Sequence, residues 1–360
     1  MSYQPMCPIT PSLLGLLFKS PNLLSHVPDG EYSIIIPLYN KNSTILNTIH
    51  SCLNQTRKSA KVIVIDDCST DGSKDLVKLL GDKITLIENL HNMGKAKSIN
   101  RAIKVVRTPY VLIVDADTEI EKNFAHQAMR GFYCNEVMGV CGKVLPQNPN
   151  LNNYSLSRLV EYLYSQRLYK MLQTKISGIW VLCGCATMWK TSFLKYAKIP
   201  LSTVVEDMDV SWKAQSKHFW HKTLKVNYNP NAICYTEEPK SFISYAKQLL
   251  RWFSYRDVIT KEFSKVKYAL RLTALWSLGE GISFPIYSGI ALYNLFTQNF
   301  LGFLIMILVD LGIVASVTLW EAKKIHMVKE AINGLPIFYI LRFFNAIMFF
   351  RAMIRPKRKW

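Results

Sequence analysis

Through the first third of the chain, short and continuous apolar runs alternate with stretches of helical spacing. Tyr32 to Ile36 is β-branched and ends at Pro37, and a helix is expected over 43–53. Lys61 to Ile65 (KVIVI) predicts a second strand, ending at Asp66 and Asp67. A helix over 73–80, a strand from Ile84 to Ile87 and a helix from Lys95 to Val106 follow. Tyr110 to Val114 (YVLIV) is the fourth strand and ends at Asp115. Apolar strands without polar alternation, set between helices, imply a mostly parallel sheet covered on both faces. In such α/β sheets ligands bind beyond the carboxyl ends of the strands, where Pro37, Asp66, Asp67 and Asp115 all fall.

Periodicity then predicts a core-packing helix over 154–172, with Leu156, Leu159, Tyr162 and Leu163 on its apolar face. A strand is expected within Val181 to Trp189, and helices over 206–216 and 242–255. Beyond residue 256 the pattern changes. Gly281 to Val309 contains no Asp, Glu, Lys, Arg or His, a second apolar stretch runs from Leu311 to Trp320, and a third from Leu335 to Ile354 is broken only by Arg342 and Arg351. A membrane-crossing helix needs about 20 mostly apolar residues. Two crossings are expected, from near Gly281 to near Trp320, with the last apolar segment lying in the interface or re-entering. The apolar LLGLLF at 13–18 is too short to cross and predicts a segment lying on the membrane surface. The chain therefore divides into an N-terminal arm (1–30), an α/β domain (31–256) and a membrane region with a basic tail (257–360).

Charge sharpens this division. The formal net charge of +19 comes from scattered basic residues plus a group (Arg355, Lys357, Arg358, Lys359) after the last apolar segment. This arrangement suits anionic lipid headgroups and anionic nucleotides rather than nucleic acid. Eight cysteines without CxxC pairs or zinc-type histidine spacing predict a reduced domain facing the cytosol.

The chemistry-bearing residues sit where the pattern makes them accessible. Asp115 and Asp117, two carboxylates at a strand exit, suit a hard cation such as Mg²⁺ or Mn²⁺ held against phosphate oxygens. The competing reading of Asp117 is a helix cap. A carboxylate at Asp66 or Asp67 suits hydrogen bonds from a nucleobase or ribose. In sequence, IIIPLYN, VIVIDDCSTDGS, HNMGKAKSIN and VDADT follow one another as they do in family 2 glycosyltransferases, which the chain resembles. The resemblance implies a GT-A fold, a UDP-sugar donor, uracil contact by Asp67 or its neighbour Asp66, a nucleotide pocket lined by Pro37 and Tyr39, and Asp117 as a metal ligand. The second half extends it: VLCGCATMWK, with Cys183 and Gly184, resembles the acceptor-side Cys-Gly-Ser motif of membrane-embedded processive synthases. VVEDMDVSWK resembles their Thr-Glu-Asp motif with Val205 in the Thr position, and QLLRW matches their Gln-x-x-Arg-Trp. Poly-N-acetylglucosamine and chitooligosaccharide synthases are the most similar, with cellulose and hyaluronan synthases close behind.

An inverting transfer needs a carboxylate base to take the acceptor's proton. Asp207 is assigned that role, with Glu206 and Asp209 as alternatives. Arg251 suits the leaving diphosphate because its planar fork donates twice to phosphate oxygens. Gln248 offers an amide and Trp252 a flat face for a sugar, and Lys95 is placed to meet the diphosphate. The expected protein is an integral membrane β-glycosyltransferase with its catalytic domain in the cytosol, elongating a glycan from a UDP-sugar such as UDP-GlcNAc. Transfer of one sugar to a lipid acceptor, as in ceramide glucosyltransferases, is the alternative, and a nucleotide-sensing transporter or channel is less favoured.

Overall fold

The computed structural model describes residues 23–25, 27–216 and 224–357; the 13–18 segment, Arg358 and Lys359 lie outside them. The α/β alternation of the first third folds as expected. Strands β1 (Tyr32–Leu38), β2 (Lys61–Asp66), β3 (Thr85–Glu88) and β4 (Tyr110–Val114) pair in parallel in the order β3-β2-β1-β4. The Ile, Val and Leu side chains of β1, β2 and β4 are almost wholly buried between helices that include α1 (Ile45–Leu53), α2 (Ser73–Lys78) and α3 (Lys95–Ala102), while those of the edge strand β3 are partly buried. Pro37 does not end β1; it lies within the strand opposite Ile65.

The sheet does not stop at β4. Four further strands extend it: β5 (Thr118–Ile120), β6 (Val137–Pro146), β7 (Ala186–Lys190) and β8 (Lys225–Thr236). The eight strands run β3-β2-β1-β4-β7-β6-β8-β5, with β7 antiparallel to both β4 and β6, β6 parallel to β8, and β5 antiparallel to β8. The outer half of the sheet is thus mixed. Residues after Asp117 form a strand, so the helix-cap reading of Asp117 is set aside. Only the later part of the 181–189 segment is extended; Val181 to Cys185 is a loop that enters β7.

Strands β6 and β8 escaped the sequence pattern because both carry residues that usually interrupt strands. Gly139 and Gly142 sit in β6 because space is lacking: an added Cβ would lie 2.5 Å from the Trp189 ring and 2.0 Å from the Ala232 carbonyl oxygen. In β8, Asn227 and Asn229 are buried yet satisfied, donating through Nδ2 to Gly131 O (2.8 Å) and Gln127 O (2.7 Å) at the end of α4 (Phe124–Arg130).

Helix α5 (Asn153–Ser165) continues through a π-turn (Gln166–Lys170) into α6 (Met171–Lys175). It is buried nearly all round, Arg158 and Glu161 included, because it lies between the sheet and the C-terminal helices. Three of those helices are long: α11 (Tyr268–Phe296), α12 (Phe300–Lys324) and α13 (Val328–Ile354), preceded by α7 (Thr191–Ala197), α8 (Glu206–Lys213), α9 (Phe242–Phe253) and α10 (Arg256–Glu262). The Gly281–Val309 run is not one helix. It turns at Gln298, whose φ is +60°, so α11 and α12 form a hairpin. Helices α12 and α13 are long and apolar enough to cross a bilayer. The hairpin's open end abuts the α/β domain, with Ala269 of α11 against Gly178 and Glu321 of α12 against Lys143. Helix α13 instead packs along the domain on α5 and α9, with Gly334 on the Leu156 carbonyl and Asn345 Oδ1 accepting from Tyr245 Oη at 2.8 Å. Asp310 of α12, alone in its apolar run, forms a buried ion pair with Arg342 of α13 at 2.9 Å.

Candidate active site

Two of the acidic pairs, Asp115/Asp117 and Glu206/Asp207, and the Arg-Trp pair, far apart in sequence, meet around one cavity. Its walls include Lys95, Asp115, Asp117, Cys183, Gly184, Glu206, Asp207, Gln248, Arg251 and Trp252. It opens at the carboxyl end of β4, as expected for an α/β sheet. The loop between β4 and β5 is clamped from three sides. Thr44 and Thr48, from the start of α1, both donate to Ala116 O (2.9 and 3.1 Å), Asp115 N donates to Cys185 O (2.8 Å), and Glu237 N donates to Asp117 O (3.1 Å).

Two lysines hold these carboxylates. Lys95, at the start of α3, lies 2.5 Å from Asp115 and 3.8 Å from Glu206. Burial opposes its charge, but the Asp115 and Glu206 carboxylates outweigh burial and hold its pKa above the ordinary lysine value. Burial conversely raises the Asp115 carboxyl, against the pull of Lys95. Lys41 bridges Asp117 (2.6 Å) and Glu237 (3.4 Å). Glu237 pairs with Lys240 as well (2.7 Å), so this acidic edge is a place where cationic charge is favoured. Among the described residues no group of three or more His, Cys, Asp or Glu side chains is arranged to hold a metal ion. Asp115 and Asp117 offer hard oxygen ligands of the kind Mg²⁺ or Mn²⁺ takes when substrate phosphates complete its shell, so the residues fit such an ion.

Helix α8 supplies the next two carboxylates. Three acidic residues in its first turn suit the positive end of the helix dipole. With valine at 205, the local hydroxyl comes from Thr203, whose Oγ1 accepts from Val205 N at 3.1 Å. Asp207 is oriented by its neighbours: Oδ1 accepts from Met208 N (2.9 Å) and Oδ2 from Gly184 N (3.3 Å). Gly184 abuts this carboxylate so closely that an added Cβ would lie 3.3 Å from Asp207 Oδ2 and from its Cβ. Glu206 is buried, and burial pushes its carboxyl up to about 7, with Lys95 opposing and Asp207 adding to the rise. Asp209 faces elsewhere, toward Lys213 (3.4 Å) and Lys261 (3.9 Å), and does not line the cavity.

Helix α9 begins with a Ser241/Ser244 capping box and carries Gln248, Arg251 and Trp252 at i, i+3 and i+4, so all three share the face turned to the cavity. Behind them stands Arg158 of α5, fully buried. It donates to Gln248 Oε1 (2.9 Å) and stacks over the rings of Trp252 (4.4 Å) and Tyr245 (4.8 Å). Glu161 (2.5 Å) and Glu238 (3.7 Å) balance its charge, and Tyr162 Oη, from a residue that lines the cavity, donates to Glu238 at 2.7 Å. One face of Trp252 is therefore covered by guanidinium. The sequence signal for this network was a charged pair, Arg158 and Glu161, on an otherwise uncharged helix.

Pro37, Tyr39, Asp66 and Asp67 do not line this cavity, although they sit at the neighbouring ends of β1 and β2. Asp67 accepts from Asn89 Nδ2 (2.8 Å), Met93 N (2.8 Å) and Gly94 N (2.7 Å), holding the turn that leads to Lys95. Asp66 accepts from Ser69 N at 3.2 Å. Tyr39 is half-exposed.

The family model for glycosyl transferase family 2 matches residues 33–196, the part of the chain that holds strands β1 to β7. Among curated relatives, a poly-beta-1,6-N-acetyl-D-glucosamine synthase of Staphylococcus aureus (strain COL) is 25% identical over 243 residues, covering 66% of this chain and 57% of the relative. One from Staphylococcus epidermidis is 28% identical over 244 residues, covering 66% and 56%. The chain thus spans little more than half the length of these relatives. The fold is GT-A. It matches the solved mannosyltransferase PcManGT from Pyrobaculum calidifontis in complex with GDP-Man and Mn²⁺ with a TM-score of 0.64 at 17% identity, over 91% of this chain and 94% of the other. S. aureus TarS 1-349 in complex with UDP-GlcNAc gives 0.50 at 18% identity, over 84% and 89%.

Proposed function

We propose that this protein is a membrane-bound inverting glycosyltransferase that adds N-acetylglucosamine from UDP-GlcNAc to the end of a growing glycan. One observation carries the reading: Lys95, Asp115, Asp117, Glu206, Asp207, Gln248, Arg251 and Trp252 line a single cavity. The poly-N-acetylglucosamine synthases among its relatives support the choice of sugar. The α11–α12 hairpin and the apolar length of α12 support insertion, with α/β domain and hairpin ends on the cytosolic side and α13 along the interface.

In this reading the donor's diphosphate lies against Lys95 and Arg251, whose positive charges offset the negative charge that develops as the nucleotide leaves. Asp115 and Asp117 would hold Mg²⁺ or Mn²⁺, which when bound supplies further charge neutralisation at the diphosphate. Asp207, fixed by Gly184 N and Met208 N, takes the proton of the attacking acceptor hydroxyl. The acceptor sugar lies against the free face of Trp252, beside Cys183 and Gly184. Pro37, Tyr39 and Asp66 or Asp67 flank the nucleoside.

The test is product analysis with the full chain in detergent, Mn²⁺ or Mg²⁺, and radiolabelled UDP-GlcNAc, UDP-Glc and UDP-GlcA. A lengthening water-soluble chain from UDP-GlcNAc is expected. A chloroform-extractable glycolipid would replace this acceptor assignment with a lipid, and no turnover of any donor would end the enzymatic reading. Asp207→Asn should retain UDP binding and lose transfer by a factor of about 10² to 10⁴; near-normal turnover would move the base elsewhere.

A further inference from the structure

A second charged cavity, of about 520 Å³, lies at the domain-proximal end of α12, between that helix, β6, β8 and the π-turn that follows α5. Gln166 separates it from the catalytic cavity. Its side chain accepts from Val144 N (2.9 Å) and donates to Val144 O (2.8 Å), a pinned partition rather than a passage. The next residue of the π-turn, Arg167, lines the second cavity; an extra residue in a helical turn redirects side chains in this way, often at functional sites.

Three cations surround one buried carboxylate here. Glu321 meets Lys143 at 2.8 Å, Lys324 at 2.5 Å and Arg167 at 3.7 Å. Lys143 and Arg167 are themselves almost completely buried, with side chains 9% and 6% exposed. The Trp320 ring is faced by Lys324 Nζ at 3.8 Å and by the Arg167 guanidinium at 4.8 Å. Three positive charges against one negative leave a surplus of two in a partly dehydrated cleft, where like charges repel unless an anion joins them. Trp320 and the paired lysines close α12, the more apolar of the two membrane-length helices among the described residues, the position of a residue belt at a membrane surface.

We propose that this cavity binds a phosphate group, that of an anionic phospholipid headgroup at the domain-facing membrane surface. The lipid source rests on the membrane insertion of α12 in the reading above; the phosphate chemistry rests on the cluster alone. Lys324 is half-exposed and reaches the headgroup from the membrane side, while Arg167 and Lys143 receive the phosphate from the domain side. None of these residues belongs to the catalytic cavity.

The test uses the full chain purified in neutral detergent, titrated with phosphatidylglycerol, phosphatidylcholine or inorganic phosphate and followed by native mass spectrometry and thermal melting. One phosphatidylglycerol per chain, retained when phosphatidylcholine is stripped, is expected. Its affinity should fall about fivefold in Lys324→Gln and about 25-fold in Arg167→Gln/Lys324→Gln, as about 1 kcal/mol per basic residue implies. Lys324→Gln alters a half-exposed residue, so it reports even if the double variant folds poorly. Stabilisation by inorganic phosphate equal to that by the lipid, and lost in Lys324→Gln, would support the phosphate site with a soluble source. Equal retention of both lipids, or unchanged affinity in Lys324→Gln without phosphate stabilisation, overturns the proposal. UDP-sugar turnover by the same preparations separates a failure here from a failure of the enzymatic reading.

Discussion

Gly184 and Asp207 show how one residue without a side chain sets another residue's carboxylate. The glycine donates its N–H to Asp207 Oδ2 and leaves the room the carboxylate occupies. Gly184→Ala should keep the fold, since a Cβ would press only on Asp207, at its Cβ and its carboxylate, yet lower kcat about tenfold or more by displacing that group. Steady-state kinetics with a melting curve checks this; unchanged kcat would mean that Asp207 tolerates displacement. Glu238 offers a pH test at the same scale. Burial pushes its carboxyl up to about 7, with the Arg158 guanidinium opposing, and Glu206 behaves alike. Groups whose folded pKa exceeds the unfolded value stabilise most below that unfolded value, and the contribution is lost as pH rises to the folded pKa. The melting midpoint should therefore decline between about pH 4.5 and 7, and Glu238→Gln should flatten the decline.

At the scale of elements, α9 carries the side chains of the Gln-x-x-Arg-Trp motif and α5 holds them in place. Arg158 ties the two helices by a hydrogen bond to Gln248 and by stacking on Trp252 and Tyr245. Arg158→Met should destabilise the protein by about 3–5 kcal/mol, because two buried carboxylates, Glu161 and Glu238, lose the guanidinium between them. Adding Glu161→Leu should recover much of the stability but not the transfer rate, since Gln248 and Trp252 remain unsupported. Recovery of both by the double variant, measured by melting and by UDP-sugar turnover, would reduce Arg158 to a structural charge. The motif itself was readable because its residues are contiguous on one helix face. The buttress was not, because Arg158 and Gln248 are 90 positions apart and a charged pair on an otherwise uncharged helix gives no sign of its partner.

Across the whole molecule, the C-terminal helices are locked to one another as well as to the domain. Asp310 and Arg342 join α12 to α13 where apolar residues surround both. Removing one partner strands a charge, whereas replacing both by apolar groups is often tolerated. Asp310→Ala should therefore lower the melting midpoint in detergent more than Asp310→Leu/Arg342→Leu does. The opposite order would assign the pair a role beyond packing. The turn between α11 and α12 falls at Gln298, not at the Asp310 that divides the apolar stretches in the sequence, because composition registers no break where Gln298 adopts a positive φ.

Locally encoded features were determined by sequence alone. Strands β1 to β4, the helices between them, the acidic strand exits and the α9 motif each announce themselves within a few residues, through burial periodicity and charge placement. Tertiary structure decided the rest. Strands β6 and β8 exist because Gly142 lets the Ala232 carbonyl approach and α4 carbonyls accept from Asn227 and Asn229. The site exists because β4, α8 and α9 bring their carboxylates and guanidinium to one cavity. Those contacts join residues tens to hundreds of positions apart, where no local pattern carries the information and only chain packing selects the partner.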